Sequence, residues 1–347
     1  LFMQSAAFEM PYGGRSNQFL FNEALISANC EFEAARYKKL GNLKLAGSFK
    51  RSAHLAALAI KRWLDTNPPR HIKNFYPVDT LYGTEEYGYY DKYMVSLGCF
   101  IYGAFMFADD TIEEYTCPAE AGGYVFSTSD DFHKVFANCC GQSIEIDTKA
   151  DLHYDATGLG RYHKKGIPTE LALSIPFTDY PSYTLPEVLL RENAAIGPGW
   201  NLDTYHQCYL SGLSKGLKHR MEVLETSLER IRFCVHYTGE ALYGCDEVIE
   251  CYTIDKNGLN IYVELVNPVI RQLYFRIPIF MFNGKDRSNV SLLDKKIVVE
   301  LGKDKYTISS GGYLELKSGL MGNRNGEYGV LIILSDKPNI TVHLKLD

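Results

Sequence analysis

The 347-residue sequence has no excess of positive charge: 36 Lys and Arg stand against 42 Asp and Glu, for a net charge of −6. A broad nucleic-acid or anionic-membrane surface needs a basic footprint, so neither partner is expected, and any anionic ligand must be held by a local patch. No apolar run approaches the roughly 18 residues that span a bilayer, and the first residues do not read as a signal peptide. The nine cysteines never fall into the C-x-x-C spacing of zinc or redox sites. Nine reduced, mostly buried thiols in a cytoplasm are the expectation that follows. The histidines form no H-x-x-x-H pattern. There is no G-x-S-x-G around a nucleophilic serine, and no glycine loop followed by Lys-Ser/Thr to cradle a phosphate. Internal repeats and low-complexity segments are also missing, which sets aside solenoids and biased tails.

What is present is apolar. A hydrophobic fraction of 46% over 347 residues can build two domains or one very large one. The chain is organised around Glu9 to Cys30, EMPYGGRSNQFLFNEALISANC. Pro11, Gly13 and Gly14 make a turn, Ser16 is a good N-cap, and a helix is expected from near Asn17. From Phe19 to Ala35 apolar residues occupy nearly every face, the pattern of a helix packed between others. Arg15, Asn17 and Gln18 at its mouth can offer a guanidinium fork, amides and free backbone N–H groups to an anionic or hydroxylated ligand. The alternative is that Arg15 pairs with a structural glutamate.

A second, amphipathic helix runs from Leu45 to Trp63, with Lys50, Arg51, Lys61 and Arg62 on a solvated face. A third is expected from about Asp91 to Ala108. The connection between them, residues 70–90, is rich in polar and aromatic side chains, among them His71, Tyr82, Glu85, Glu86 and Tyr90. Loops of that length usually carry function. Beyond Pro118 the period changes to two, as in SIEIDT at 143–148, and a hairpin is expected where VIECYTI meets Asn257-Gly258 and LNIYVEL. Further strands are expected at 219–227, 229–237, 271–282, 296–301, 305–309, 328–334 and 339–346. The division is therefore an α-helical portion over 1–117 and a large antiparallel β-sandwich over 118–347.

Within the β part, DLHYDATGLGRYHKKG at 151–166 gathers His153, Tyr154, Arg161 and His163. Gly158 and Gly160 suggest a flexible loop reaching toward the helices. His153 and His163 are spaced to share an ion with Asp151 or Asp155, although such histidines are more often metal-free, and no metal or other cofactor is expected. The 25 tyrosines, and Trp200 in GPGWN, can serve as platforms that stack on sugar faces; for most of them core packing is the simpler reading.

The run of PYGGRSNQF, RHIKNFYP and YGTEEYGYYDKYM, followed by a large antiparallel β domain, resembles the carbohydrate-active proteins built from an (α/α) toroid and a β-sandwich, including the heparinase II/III-like lyases. PYGGRS is also similar to a G-R-S element of bacterial β-glucuronidases of related build. The resemblance implies a partial toroid, because a full ring needs many more helices than this chain supplies. Leu1 is not an initiator methionine and LFMQSAAF reads like chain interior, so an upstream segment of the same polypeptide is expected to complete it. It also implies a bacterial enzyme that cleaves glycosidic bonds in an acidic, uronic-acid-containing oligosaccharide or polysaccharide; the unpaired cysteines and the lack of a visible export signal make the cytoplasm its expected location, with export if an upstream segment carried a signal.

Hydrolysis needs two carboxyl groups, for which Glu85 and Glu86 are available with Asp91 beyond them. β-Elimination needs Arg, Asn or His on the uronate carboxylate and Tyr or His to take the C5 proton. The carboxylate-rich loop favours hydrolysis, with lyase chemistry and a non-catalytic glycan-binding protein as alternatives. The expected site has Glu85, Glu86, Tyr90 and His153 at the reacting sugar, and Arg15, Asn17, His71, Tyr82, Tyr154 and Arg161 binding the substrate.

Overall fold

A computed structural model describes residues 21–63, 91–152, 155–175, 194–203, 206–283, 286–323 and 326–347. Three long helices come first: α1 (Phe21–Lys39), α2 (Leu43–Trp63) and α3 (Asp91–Phe107). The break between α1 and α2 is fixed by two residues. Gly41 takes φ +78°, and the N–H groups of Gly41 and Asn42 donate back to the carbonyls of Lys38 and Tyr37, which closes α1 in a left-handed cap. Asn42 then accepts from the Leu45 N–H at 3.2 Å and caps α2. Buried small residues let the helices approach closely: Ala34 of α1 and Ala46 of α2 share one cluster with Ile112, and Ala28 of α1 lies against Gly103 of α3. Glu31 of α1 and Lys50 of α2 bond at 2.9 Å, so Lys50 is not merely part of a solvated face.

Three long helices, the short α4 (Pro118–Ala121) and two 3-10 turns at Thr169–Leu171 and Leu210–Gly212 are the helical content among the described residues, and they do not show a toroid. The chain is mostly antiparallel β. A four-stranded sheet holds β1 (Tyr124–Ser127), β2 (Lys134–Cys139), β3 (Gln142–Asp147) and β4 (Gly158–Lys164) in that order. The strands that follow are β5 (Gly197–Asn201), β6 (Gln207–Tyr209), β7 (Lys218–Thr226), β8 (Arg230–Thr238), β9 (Glu247–Asp255), β10 (Gly258–Val266) and β11 (Gln272–Phe282). After them come β12 (Asn289–Leu293), β13 (Lys296–Leu301), β14 (Asp304–Ser310), β15 (Tyr313–Leu316), β16 (Met321–Asn323), β17 (Gly326–Ser335) and β18 (Asn339–Leu346). An eight-stranded sheet has the order β12-β13-β14-β18-β10-β9-β8-β7, and a six-stranded one runs β15-β17-β11-β5-β6 with β16 also on β17.

Alternation builds the large sheets. In β9, Val248, Glu250, Tyr252 and Ile254 point inward while the residues between them face out. The inward faces of all three sheets meet in one continuous core that contains Ile144, Trp200, Phe233, Tyr252, Phe275 and Tyr328. Fully burying such a side chain contributes roughly 1.5–3 kcal/mol, and two large antiparallel sheets sharing one core are consistent with a sandwich.

Two sequence expectations are corrected here. Trp200 is not a sugar platform: it is fully buried, and its indole N–H donates to the Tyr243 carbonyl at 2.6 Å. The cysteines are not all free, because Cys234 and Cys251 sit opposite each other on β8 and β9 and form a disulfide, leaving seven thiols. Sequence spacing hides this pair, since only the β8–β9 register brings two residues 17 apart into contact.

Candidate functional site

The outer face of the four-stranded sheet is read row by row from its register. Tyr124, Asn138, Ser143 and His163 are successive cross-strand partners, and Phe126, Phe136, Glu145 and Arg161 form the next row. Residues two apart on a strand share a face, so both rows point the same way, while Ile144 and Tyr162 between them enter the core. Helices α1 and α2 lie over this face. Between them is a cavity of about 400 Å3, floored by the two rows apart from Phe126 and roofed by Glu23 and Ile26 of α1 and by Ser52, Leu55 and Ala56 of α2. The volume lies within the roughly 300–1,000 Å3 of small-ligand sites.

The walls are tied together by ions. Arg51 of α2 grips the Glu120 carboxylate of α4 with two bonds of 2.8 and 2.9 Å and reaches Glu114 at 3.1 Å. Lys165, just past β4, bonds the same Glu120 carboxylate. The Arg51 guanidinium pulls the Glu120 carboxyl down to about 2, against the upward effect of burial.

Inside the cavity, Arg161 Nε stands 3.7 Å from Glu145 Oε2. Burial pushes the Glu145 carboxyl up, and the charges of Arg161 and Lys134 offset only part of that. Asn138 donates from Nδ2 to Ser143 Oγ at 2.5 Å, while its buried Oδ1 finds no partner among the described residues. His163 must donate its Nε2–H to the Ile167 carbonyl, 3.1 Å away, because a carbonyl can only accept. Burial also raises the Tyr124 phenol. The arrangement offers a carboxyl inclined to hold its proton, a guanidinium beside it, a second carboxylate from the helix opposite, and amide, hydroxyl and imidazole groups along one wall.

The face continues to a buried charge cluster. Lys134 on β2 pairs with Asp147 on β3 at 2.5 Å and with Asp155 at 2.8 Å, and all three are buried. His133 Nδ1 adds a bond of 2.7 Å to Asp147. Burial raises the Asp147 carboxyl, but the His133 bond and the Lys134 charge outweigh it and hold the group low. Asp155 rises well above the carboxylate range through burial, against the pull of Lys134 and with the like charge of Asp147 adding to the rise. Asp155 is thus committed to Lys134 rather than poised to share an ion with His163. Among the described residues no three His, Cys, Asp or Glu side chains converge on a metal position.

Of the residues singled out in the sequence, Arg161 and His163 fall in this cavity. The loop expected at 151–166 is corrected: Gly158–Lys164 is strand β4, with Gly158 and Gly160 buried in it. Arg15, Asn17, His71, Tyr82, Glu85, Glu86, Tyr90, His153 and Tyr154 lie outside the described residues. Glu145, Ser143, Asn138 and Glu23 were missed. The alternation of SIEID had already put Ser143 and Glu145 on one face, which was the available signal.

No family model matches the chain, and no curated protein matches it. Solved structures give distant likenesses. Heparinase III matches with a TM-score of 0.39 at 10% identity, over 99% of this chain and 56% of its own. The 4-alpha-glucanotransferase from Thermococcus litoralis matches with a TM-score of 0.40 at 12% identity, over 98% of this chain and 50% of its own. The chain thus spans about half the length of these two enzymes. HI1317 matches with a TM-score of 0.38 at 8% identity, over 62% of this chain and 92% of its own. Likenesses of this size carry no argument about residues or reaction.

No helix among the described residues is long and apolar enough to cross a membrane.

Proposed function

We propose that this chain is part of a carbohydrate-active enzyme that hydrolyses glycosidic bonds in an acidic, uronic-acid-containing oligosaccharide. The reading rests on one observation: Glu145 and Arg161 stand side by side on the sheet and share an open cavity with Glu23 of α1. In this reading Arg161 holds the uronate carboxylate. Glu145, whose carboxyl burial pushes upward, is the acid that donates a proton to the leaving glycosidic oxygen. Glu23 on the opposite wall activates the water. Asn138 and Ser143 bond sugar hydroxyls, with Tyr124 as a flat wall. Arg15, Asn17, His71, Tyr82, Tyr154, Glu85, Glu86, Tyr90 and His153 remain proposed additional contacts in the complete protein, whose upstream segment is part of the proposal. No cofactor enters this mechanism, and the bacterial cytoplasm is the proposed location.

β-Elimination would need Tyr124 or His163 to take the C5 proton. A phenol raised by burial is a poor base, which is why hydrolysis comes first. The test is a panel of acidic glycans incubated with the full-length protein, reading new reducing ends and near-ultraviolet absorbance together. Reducing ends without absorbance are expected. Absorbance rising with them would indicate elimination, and binding with neither signal would indicate a glycan-binding protein. Arg161→Ala should raise KM about tenfold or more for acidic sugars, the loss of a charged hydrogen bond, with little change for neutral ones. Equal effects on both would make Arg161 structural.

A further inference from the structure

Strand β2 ends on Cys139 and β3 begins on Gln142, its register partner, so the hairpin turn is the pair Cys140-Gly141. Both turn residues lie in the left-handed region, at φ +54° and +71°. Glycine and asparagine favour that conformation, whereas a residue with an ordinary Cβ is disfavoured in it. A cysteine therefore stands where an asparagine would be more stable, and directly beside a second cysteine. The two sulfurs are 3.6 Å apart.

Both thiols lean on the turn between β7 and β8. Cys139 Sγ approaches the carbonyls of Ser227 and Leu228 at 3.8 and 3.5 Å, and Cys140 Sγ approaches those of Leu228 and Glu229 at 3.6 and 3.4 Å. Cys139 is fully buried, and burial pushes its thiol up to about 12. Cys140 is half-buried and lines a surface cavity of about 480 Å3 together with Glu225, Arg230, Asp255 and Lys256. One thiol is accessible from solvent, and the other waits behind it.

We propose that Cys139 and Cys140 are a reversible oxidation site that closes to a vicinal disulfide in the presence of a hydroperoxide. Cys140, as thiolate, attacks one peroxide oxygen; the O–O bond breaks, one water leaves, and a sulfenic acid remains on Cys140. Cys139 then attacks that sulfur, the S–O bond breaks, and its hydroxyl leaves as a second water with the Cys139 proton. Two thiols and one hydrogen peroxide give one disulfide and two waters. Adjacent Cα atoms are about 3.8 Å apart across a trans peptide, below the roughly 4.4–6.8 Å of ordinary disulfides. The ring is accordingly strained, and strained disulfides are the readily reduced ones. Closing it must also rebuild the Cys140-Gly141 turn that holds β2 to β3.

The test treats the full chain with hydrogen peroxide, blocks remaining thiols with N-ethylmaleimide under denaturing conditions, and sequences the peptide spanning both residues by mass spectrometry. The expected peptide is unlabelled and lacks two hydrogens, and dithiothreitol restores two labelled thiols. Cys140→Asn, which suits the left-handed turn, should fold normally and leave Cys139 labelled. Labelling of both residues after peroxide, a sulfinic acid on Cys140, or a bridge to any other cysteine would each overturn the proposal.

Discussion

Replacing Glu250 by glutamine should change how stability responds to pH, in a direction the structure fixes. Glu250 lies fully buried in β9, where Oε2 accepts from the Tyr252 hydroxyl at 2.9 Å and Oε1 has no partner among the described residues. Burial raises its carboxyl from the usual 4.5 to about 7, with hydrogen bonding offsetting part of the rise. The folded state therefore binds the proton more tightly than the unfolded one. Stability from this group is fully present below pH 4.5 and is lost as pH rises through about 7. At about 1.4 kcal/mol per pH unit, the interval amounts to about 3 kcal/mol. The amide of Glu250→Gln cannot ionise and forgoes this loss. Urea unfolding of both proteins, on both sides of that window, should show the wild type losing about 3 kcal/mol relative to the variant as pH rises. The other titrating groups cancel in the difference. Parallel curves, or a difference that grows in the opposite direction, would refute the burial argument for Glu250.

The Lys134 cluster and the cysteines give two further expectations. Lys134→Ala leaves Asp147 and Asp155 buried without their shared cation and should cost about 3–5 kcal/mol in urea unfolding, whereas adding Asp147→Asn and Asp155→Asn should recover much of it. A loss below about 1 kcal/mol would mean that water reaches the cluster. Thiol titration in denaturant without reductant should count seven, rising to nine after reduction; nine from the start would remove the Cys234–Cys251 bridge.

Much of the fold was legible because most of it repeats a short period. The strands expected at 219–227, 229–237, 271–282, 296–301, 305–309, 328–334 and 339–346 appear within a residue or two of β7, β8, β11, β13, β14, β17 and β18. All three long helices also appear where they were expected, although the start near Asn17 lies outside the described residues. What escaped was the four-stranded sheet apart from β3, together with the short strands β5, β6, β12, β15 and β16. Strand β2 is buried along its whole length, so KVFANC shows no alternation, and its Lys134 reads as surface until Asp147 and Asp155 are seen around it. In β4 the glycines of GLGRYHK imitate a loop. The site was half legible for a related reason. Arg161 and His163 stand out as residue types, but Glu145 and Ser143 become their neighbours only through the β3–β4 register, which no local pattern specifies.

The position of β18 has a consequence for how the protein is made. It lies between β14 and β10, pairing with both, although it is synthesised after every other strand of that sheet. Until residues 339–346 leave the ribosome, the β7–β10 meander and the β12–β14 meander are two half-sheets, each with an open edge of unpaired backbone groups. Such edges are templates for pairing with a neighbouring chain. The nascent protein is therefore prone to aggregate in the interval just before β18 emerges, and ribosome stalling upstream of Asn339 should yield chains that need a chaperone to stay dispersed.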